Sequence, residues 1–123
     1  YQRQNIEKIR SRKKQRFKTD KIYRLKILHS ARIRSGLRQF KLKKKESIKS
    51  IHLLGCTYAY FSNYLEKKFK NGMSWKNMDK WEIDHIRALA KFNLSNIPEQ
   101  MKAFHYSNTQ PLWRFENRSK GTN

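Results

Sequence analysis

The stretch WEIDHI, residues 81–86, decides the fold, because it is short, rich in apolar residues and compatible with a β-strand. A second stretch of this kind runs from Thr109 to Trp113. Between the two, Asn96 is followed three residues later by Glu99, with Pro98 in between, which predicts a capped helix over about 97–104. A further short helix is predicted over residues 116–120. Two strands with two short helices predict a small α+β domain.

Before this domain, helical spacing predicts two further helices. An apolar stripe recurs at three- and four-residue steps, which predicts one helical face, formed by Ile22, Leu25, Leu28, Ile33, Leu37 and Phe40. Gly36 weakens this helix and favours its division into two pieces. Residues 1–20 have few apolar side chains and many charges, so they are expected to be helical on DNA and loose without it. Residues 58–69 also show helical spacing and end at Asn71-Gly72.

The charge of the chain divides it into two regions. Its 30 Lys and Arg residues outnumber 9 Asp and Glu, for a net charge of +21. Residues 1–50 hold 19 of the basic residues and 3 of the acidic ones. We therefore predict a basic, largely helical arm over residues 1–50 and a compact domain over 51–123. A polyanion is the expected partner.

Several classes of protein are not expected. No apolar run approaches 18 residues, so no transmembrane helix is predicted, and no membrane partner. The lone Cys56 excludes an internal disulfide and a zinc site built on several thiolates. An intracellular, reducing setting is the simplest expectation.

Three separated motifs carry the candidate chemistry: WEIDHI at 81–86, YSNTQPLW at 106–113 and ENRSK at 116–120. Hydrolysis of a phosphodiester needs an activated water and charge neutralisation at the phosphate. A histidine, with its pKa near 6.5, can take a proton from water at neutral pH. Carboxylate and amide oxygens suit Mg²⁺, which keeps several waters and needs only one or two protein ligands.

In this order the motifs resemble the HNH endonucleases, which have the ββα-metal fold, in the variant whose last motif residue is Asn. The pairs and triplets Gly55-Cys56, Met73-Ser74-Trp75 and Phe104-His105-Tyr106 resemble phage-type and homing-type members. The resemblance covers about residues 54–121. The chain departs from the frequent pattern Asp-His-Ile-x-Pro, since Arg87-Ala88-Leu89 follows here, which removes a rigid turn but no catalytic atom.

The resemblance implies a role for each motif residue. His85 would be the general base, and Asp84 and Asn117 would bind one Mg²⁺ or Mn²⁺ ion. Asn108 would brace the loop and help orient His85. Neighbouring residues of a strand point to opposite faces, so Asp84 and His85 need a bend or bulge to serve one site. DNA contacts are expected from these basic residues: Arg24, Arg32, Arg34, Arg38, Lys41, Arg118 and Lys120.

The expected function is metal-dependent cleavage of double-stranded DNA, with one site per chain favouring a nick. A monomer or weak dimer without a small-molecule cofactor is expected, in a bacterial or other host cell, with a phage-encoded origin as one alternative. The competing hypothesis is a non-catalytic nucleic-acid-binding protein with a degenerate HNH module. The arm is expected to be removable, unless its apolar stripe packs on the domain. His29 and His52 are expected to be contact or surface residues, and His105 a hydrogen-bonded packing residue.

Overall fold

The computed structural model describes residues 2–40 and 49–120, with side chains as far as Asn117, and these parts of the chain hold six α-helices and two strands. The helices are α1 (Arg3–Thr19), α2 (Lys21–Leu37), α3 (Ser50–Leu54), α4 (Tyr58–Glu66), α5 (Ile97–Phe104) and α6 (Arg114–Lys120). The strands are β1 (Trp81–His85) and β2 (Thr109–Trp113). The described chain is therefore mostly helical with a small sheet, and the predicted α+β class is confirmed.

The sheet is a single antiparallel pair whose register runs from Trp81 opposite Trp113 to His85 opposite Thr109. Both predicted strands are confirmed. The predicted cap of α5 is also confirmed, because the side chain of Asn96 accepts the backbone N–H of Glu99 at 3.2 Å. Helix α6 follows β2 without a connecting loop and begins two residues before its predicted start.

The apolar stripe of α2 packs into the interior. Leu25 is fully buried in a cluster with residues of α3, α4 and β1, among them Leu54, Phe61 and Trp81. Ile33 is 3% exposed and belongs to a second cluster, with Phe104 and others. The predicted helical face is therefore confirmed, and α2 is part of the same hydrophobic core as the strands.

Helix α1 contrasts with α2, because none of its residues is buried. Its end is fixed at Asp20, whose carboxylate accepts the backbone N–H groups of Ile22 and Tyr23 at 3.1 Å and so caps α2. Two stacking contacts cross the junction: the Arg16 guanidinium lies over the Tyr23 ring at 4.2 Å, and that of Arg24 over the Phe17 ring at 5.4 Å. These contacts fix the turn at Asp20 that joins the two helices, which we call the corner.

The expectation that His29 is a surface or contact residue is wrong. Its side chain is 3% exposed, because it lies one helical turn from both Leu25 and Ile33 and faces the core with them. Its Nδ1 lies 3.2 Å from the hydroxyl of Tyr58. Burial, together with the nearby charges of His85 and Arg32, lowers the pKa of His29 to about 4.

The buried position of His29 predicts that the free energy of unfolding falls in mild acid. The folded state holds His29 neutral down to about pH 4, whereas the unfolded chain takes up a proton below about pH 6.5. The free energy of unfolding should therefore fall by about 3 kcal/mol between pH 6.5 and pH 4 through this residue alone. Denaturant titrations of the wild type and of His29→Gln would check this. An identical pH dependence in the two proteins across that window would contradict the assignment.

Within residues 2–40 and 49–120, no helix is long and apolar enough to cross a membrane.

Candidate active site

The first half of the candidate site is an acidic face on β1. Glu82 and Asp84 are two residues apart, so their side chains leave the same face of the strand, about 7 Å apart along it. Asp84 is only 8% exposed, and its carboxylate accepts a hydrogen bond at 3.3 Å from the amide of Gln110, its cross-strand neighbour. A carboxylate is thus held on this face, close to the end of the strand.

Helix α6 brings Asn117 to the same face. Its side-chain nitrogen donates a hydrogen bond to the carboxylate of Glu82. Since the nitrogen is engaged there, the amide oxygen of Asn117 points elsewhere and remains an acceptor. Sequence reasoning missed Glu82. The available signal was its position two residues before Asp84, which places both acids on one face of a strand.

Two arginines flank the carboxylate of Glu82. Nη1 of Arg32, from α2, lies 3.9 Å from Glu82, and Nη1 of Arg114, at the start of α6, lies 4.0 Å from it. These distances are long for direct hydrogen bonds, so both guanidinium groups contribute mainly positive charge. An adjacent cavity of about 250 Å³ is lined by these arginines and Glu82 together with four apolar side chains. Positive charge therefore lies beside the acidic face.

His85 leaves the opposite face of β1. The pairing with β2 is one-to-one through His85 and Thr109, so the strand has no bulge that would rotate its side chain toward Asp84. The ring lies edge-on to Phe104, with centroids 5.7 Å apart, and the residue is half-buried. The structure thus gathers Asp84, Glu82 and Asn117 on one face. It leaves His85 on the other, at the last position of the strand.

Asn108 holds the loop that follows β1. Its side-chain oxygen accepts the backbone N–H of Arg87 at 2.8 Å, and its nitrogen donates to the carbonyl oxygens of Arg87 at 3.1 Å and Ala103 at 2.9 Å. The backbone carbonyl of Asn108 also accepts the N–H of Ile86 at 3.0 Å. This one residue therefore ties the segment directly after His85 to the end of α5.

The basic residues predicted to contact DNA have different surroundings. Arg34 and Arg38 are exposed on α2 and directly after it. Arg24 and Arg32 are half-buried and engaged, over Phe17 and beside Glu82 respectively. Lys41 and the side chains of Arg118 and Lys120 lie outside the described part of the chain.

The side chain of His105 contacts the two residues that follow it in the chain. Its Nδ1 lies 2.7 Å from the hydroxyl oxygen of Ser107 and accepts the backbone N–H of Ser107 at 3.2 Å. Its ring packs on Tyr106 with centroids 4.4 Å apart. A Cβ atom on Gly55 would lie 2.8 Å from Cδ2 of this ring, and the φ of +79° there also favours glycine. The predicted packing role of His105 is confirmed.

The donor atoms on the β1 face fit a hard divalent cation. Asp84 supplies a carboxylate and Asn117 an amide oxygen, which are ligands that Mg²⁺ and Mn²⁺ accept. Among the residues that the structure describes, no three His, Cys, Asp or Glu side chains gather as a metal site. A carboxylate and an amide oxygen would leave the remaining ligand positions of such an ion to water and phosphate, and they are not the ligand set of structural zinc.

Comparison with known proteins finds viral relatives without an assigned activity. An uncharacterized protein of Acanthamoeba polyphaga mimivirus is 33% identical over 118 residues, which cover 95% of this chain and 50% of that protein. A second uncharacterized protein of the same virus is 33% identical over 114 residues, covering 88% of this chain and 48% of its own length. The chain thus spans about half the length of the curated relatives it matches. No family model and no solved structure matches it.

Proposed function

We propose that the chain is a metal-dependent DNA endonuclease of the HNH type, in which β1, β2 and α6 form the ββα-metal unit. The observation that carries the proposal is the position of Asn117, which α6 holds against the acidic face of β1 through Glu82. The motif that contains Asp84 is separated by α5 from those that contain Asn108 and Asn117, yet all three meet around one two-stranded sheet. A protein that only binds nucleic acid has no need of this arrangement.

In the proposed reaction, one face of β1 supplies the general base and the other supplies the metal ligands. His85 is the last residue of the strand, so we propose that His85 and Asp84 reach one phosphate from the two sides of the strand end. His85 takes the proton from the attacking water, and Asn108 holds the loop behind it. Asp84 and Asn117 would hold the divalent ion, which neutralises charge on the phosphate and on the leaving oxygen.

The proposed substrate is double-stranded DNA, and one site per chain favours a nick by a monomer or weak dimer. The excess of positive charge, +21 over 123 residues, supports a polyanionic substrate. The viral relatives support a viral origin of the chain. A non-catalytic DNA-binding protein is the competing proposal, supported by charge alone.

Removal of either proposed metal ligand tests this function. Asp84→Ala and Asn117→Ala should each raise the Mg²⁺ concentration needed for half-maximal nicking by on the order of tenfold or more, because each removes an oxygen ligand. Mn²⁺ binding, followed by electron paramagnetic resonance with DNA present, should weaken in parallel. Asn63→Ala is the matched control, since Asn63 is exposed on α4, and its metal dependence should not change. Unchanged metal dependence in both ligand variants would refute the assignment.

A further inference from the structure

Helix α1 is exposed and strongly basic. Its 17 residues contain eight Lys or Arg and a single acid, Glu7. None of them is buried, so α1 adds almost nothing to the core that α2 helps to form. Because tertiary packing supplies most of the stability of helices in proteins, a helix that buries no residue would gain stability from a partner outside the fold.

The local features of α1 do not favour a helix in isolation. Its N-cap, Gln2, makes no side-chain hydrogen bond to the first turn, and that turn has no acidic residue. Basic residues recur at four-residue steps, as in Lys8 and Arg12 or Arg10 and Lys14, so like charges face each other along the helix. Anions bound along the helix would offset the repulsion between these side chains and so stabilise the helix.

The direction of α1 is nevertheless fixed. The Asp20 cap and the stacking of Arg16 on Tyr23 join α1 firmly to α2. Helix α2 in turn is packed in the core and reaches Glu82 through Arg32. Along α2, the separation of the corner from Arg32 is about 18 Å. The chain therefore fixes the corner end of α1 about five base pairs' length from Arg32, which borders the candidate active site.

We propose that α1 is the principal duplex-binding element of this protein and lies in the major groove of B-form DNA beside the cleavage site. An α-helix is about 10–12 Å across, and the B-DNA major groove is about 12 Å wide, so the whole cylinder fits. Over the roughly 25 Å length of α1, the duplex presents a phosphate charge about every 1.7 Å. The choice of DNA over other polyanions rests on the proposed function. A membrane is disfavoured, since Ile6 and Ile9 are the only large exposed apolar side chains of the described α1.

Charge removal in the full-length chain tests this surface. The α1 variant carries Lys8→Gln, Arg10→Gln, Arg12→Gln and Lys14→Gln, all at exposed positions, and glutamine preserves helix propensity. The matched control removes four exposed lysines elsewhere, at Lys67, Lys76, Lys91 and Lys102. Both proteins lose the same net charge. Binding to a DNA duplex is measured by anisotropy in EDTA over a range of salt concentrations.

The α1 variant should bind roughly tenfold or more weakly at low salt, and its plot of log affinity against log salt should be shallower by about 3. The control should lose less than about 1 in slope. Equal losses in the two proteins would overturn the proposal, because net charge alone would then explain binding. Binding of an A-form RNA duplex as tight as that of DNA, or tighter binding to anionic phosphatidylserine vesicles, would also overturn it.

Hydrogen exchange of the unmodified protein gives a second test that needs no variant. The backbone amides of α1 should exchange rapidly without DNA and become protected when the duplex is added, whereas unchanged exchange in α1 would overturn the proposal. Because both binding and exchange are measured in EDTA, their result does not depend on cleavage. A chain that binds through α1 but never cuts DNA would refute the proposed function and leave this inference standing.

Discussion

Replacing His85 by alanine is expected to lower the rate of DNA cleavage by on the order of 10²–10⁴-fold, the range typical of a lost general base. The affinity for DNA should stay within a few-fold of the wild type, because His85 acts on the attacking water rather than on the bound duplex. Single-turnover nicking at saturating protein measures the first effect, and anisotropy in EDTA measures the second.

His52→Ala provides the control for this experiment. His52 is an exposed histidine on α3 and lies outside the candidate site, so its removal should leave the nicking rate unchanged. Thermal unfolding of both variants shows whether the fold is retained, which matters because the ring of His85 contacts Phe104. A folded His85→Ala protein that nicks DNA at the wild-type rate would remove His85 from the mechanism.

Deleting residues 1–50 is expected to unfold the protein, whereas deleting residues 1–18 is expected to leave the fold intact. The longer deletion removes Leu25, His29 and Ile33 from the core, and loss of even one large buried side chain costs about 2–5 kcal/mol. Small domains have a free energy of unfolding of only about 5–15 kcal/mol. The loss of three buried side chains together is of the same size, so the shortened protein is expected to unfold. The shorter deletion ends inside α1, which has no buried residue, and leaves Asp20 in place as the cap of α2.

Circular dichroism and thermal unfolding distinguish these outcomes. A point variant tests the same idea without truncation: Leu25→Ala should lower the free energy of unfolding by about 2–5 kcal/mol. Ile27→Ala, at a position on α2 that is 40% exposed, should have a much smaller effect. A cooperative transition at the wild-type temperature in the protein without residues 1–50 would show that α2 is dispensable.

The sequence predicted the elements of this fold well because each has a strong local signature. Short, apolar-rich stretches mark β1 and β2, and the cap at Asn96 marks α5. The apolar stripe of α2 was also evident, but the residues that it packs against were not, because periodicity identifies a buried face without identifying what covers it. For the same reason His29 was mistaken for a surface residue, although its spacing from Leu25 and Ile33 places it on that face.

The candidate site was less completely predictable from the sequence. The motifs identify Asp84, Asn108 and Asn117, but no local pattern shows that Glu82 binds the amide of Asn117. That contact depends on how α6 packs across the strands, which is a tertiary feature. Likewise, only the observed register shows that β1 has no bulge and that Asp84 and His85 leave opposite faces.

The central claim is that this chain hydrolyses DNA with a divalent metal ion, and a plasmid-nicking assay tests it most directly. Supercoiled plasmid is incubated with the purified chain in Mg²⁺, in Mn²⁺ and in EDTA, with Asp84→Ala as the metal-ligand control. The account predicts that nicked circles form with either metal and not in EDTA, and that Asp84→Ala nicks far more slowly at the same limiting Mg²⁺ concentration. A chain that binds the plasmid yet leaves it supercoiled in both metals, or that nicks it equally well in EDTA, would contradict the account.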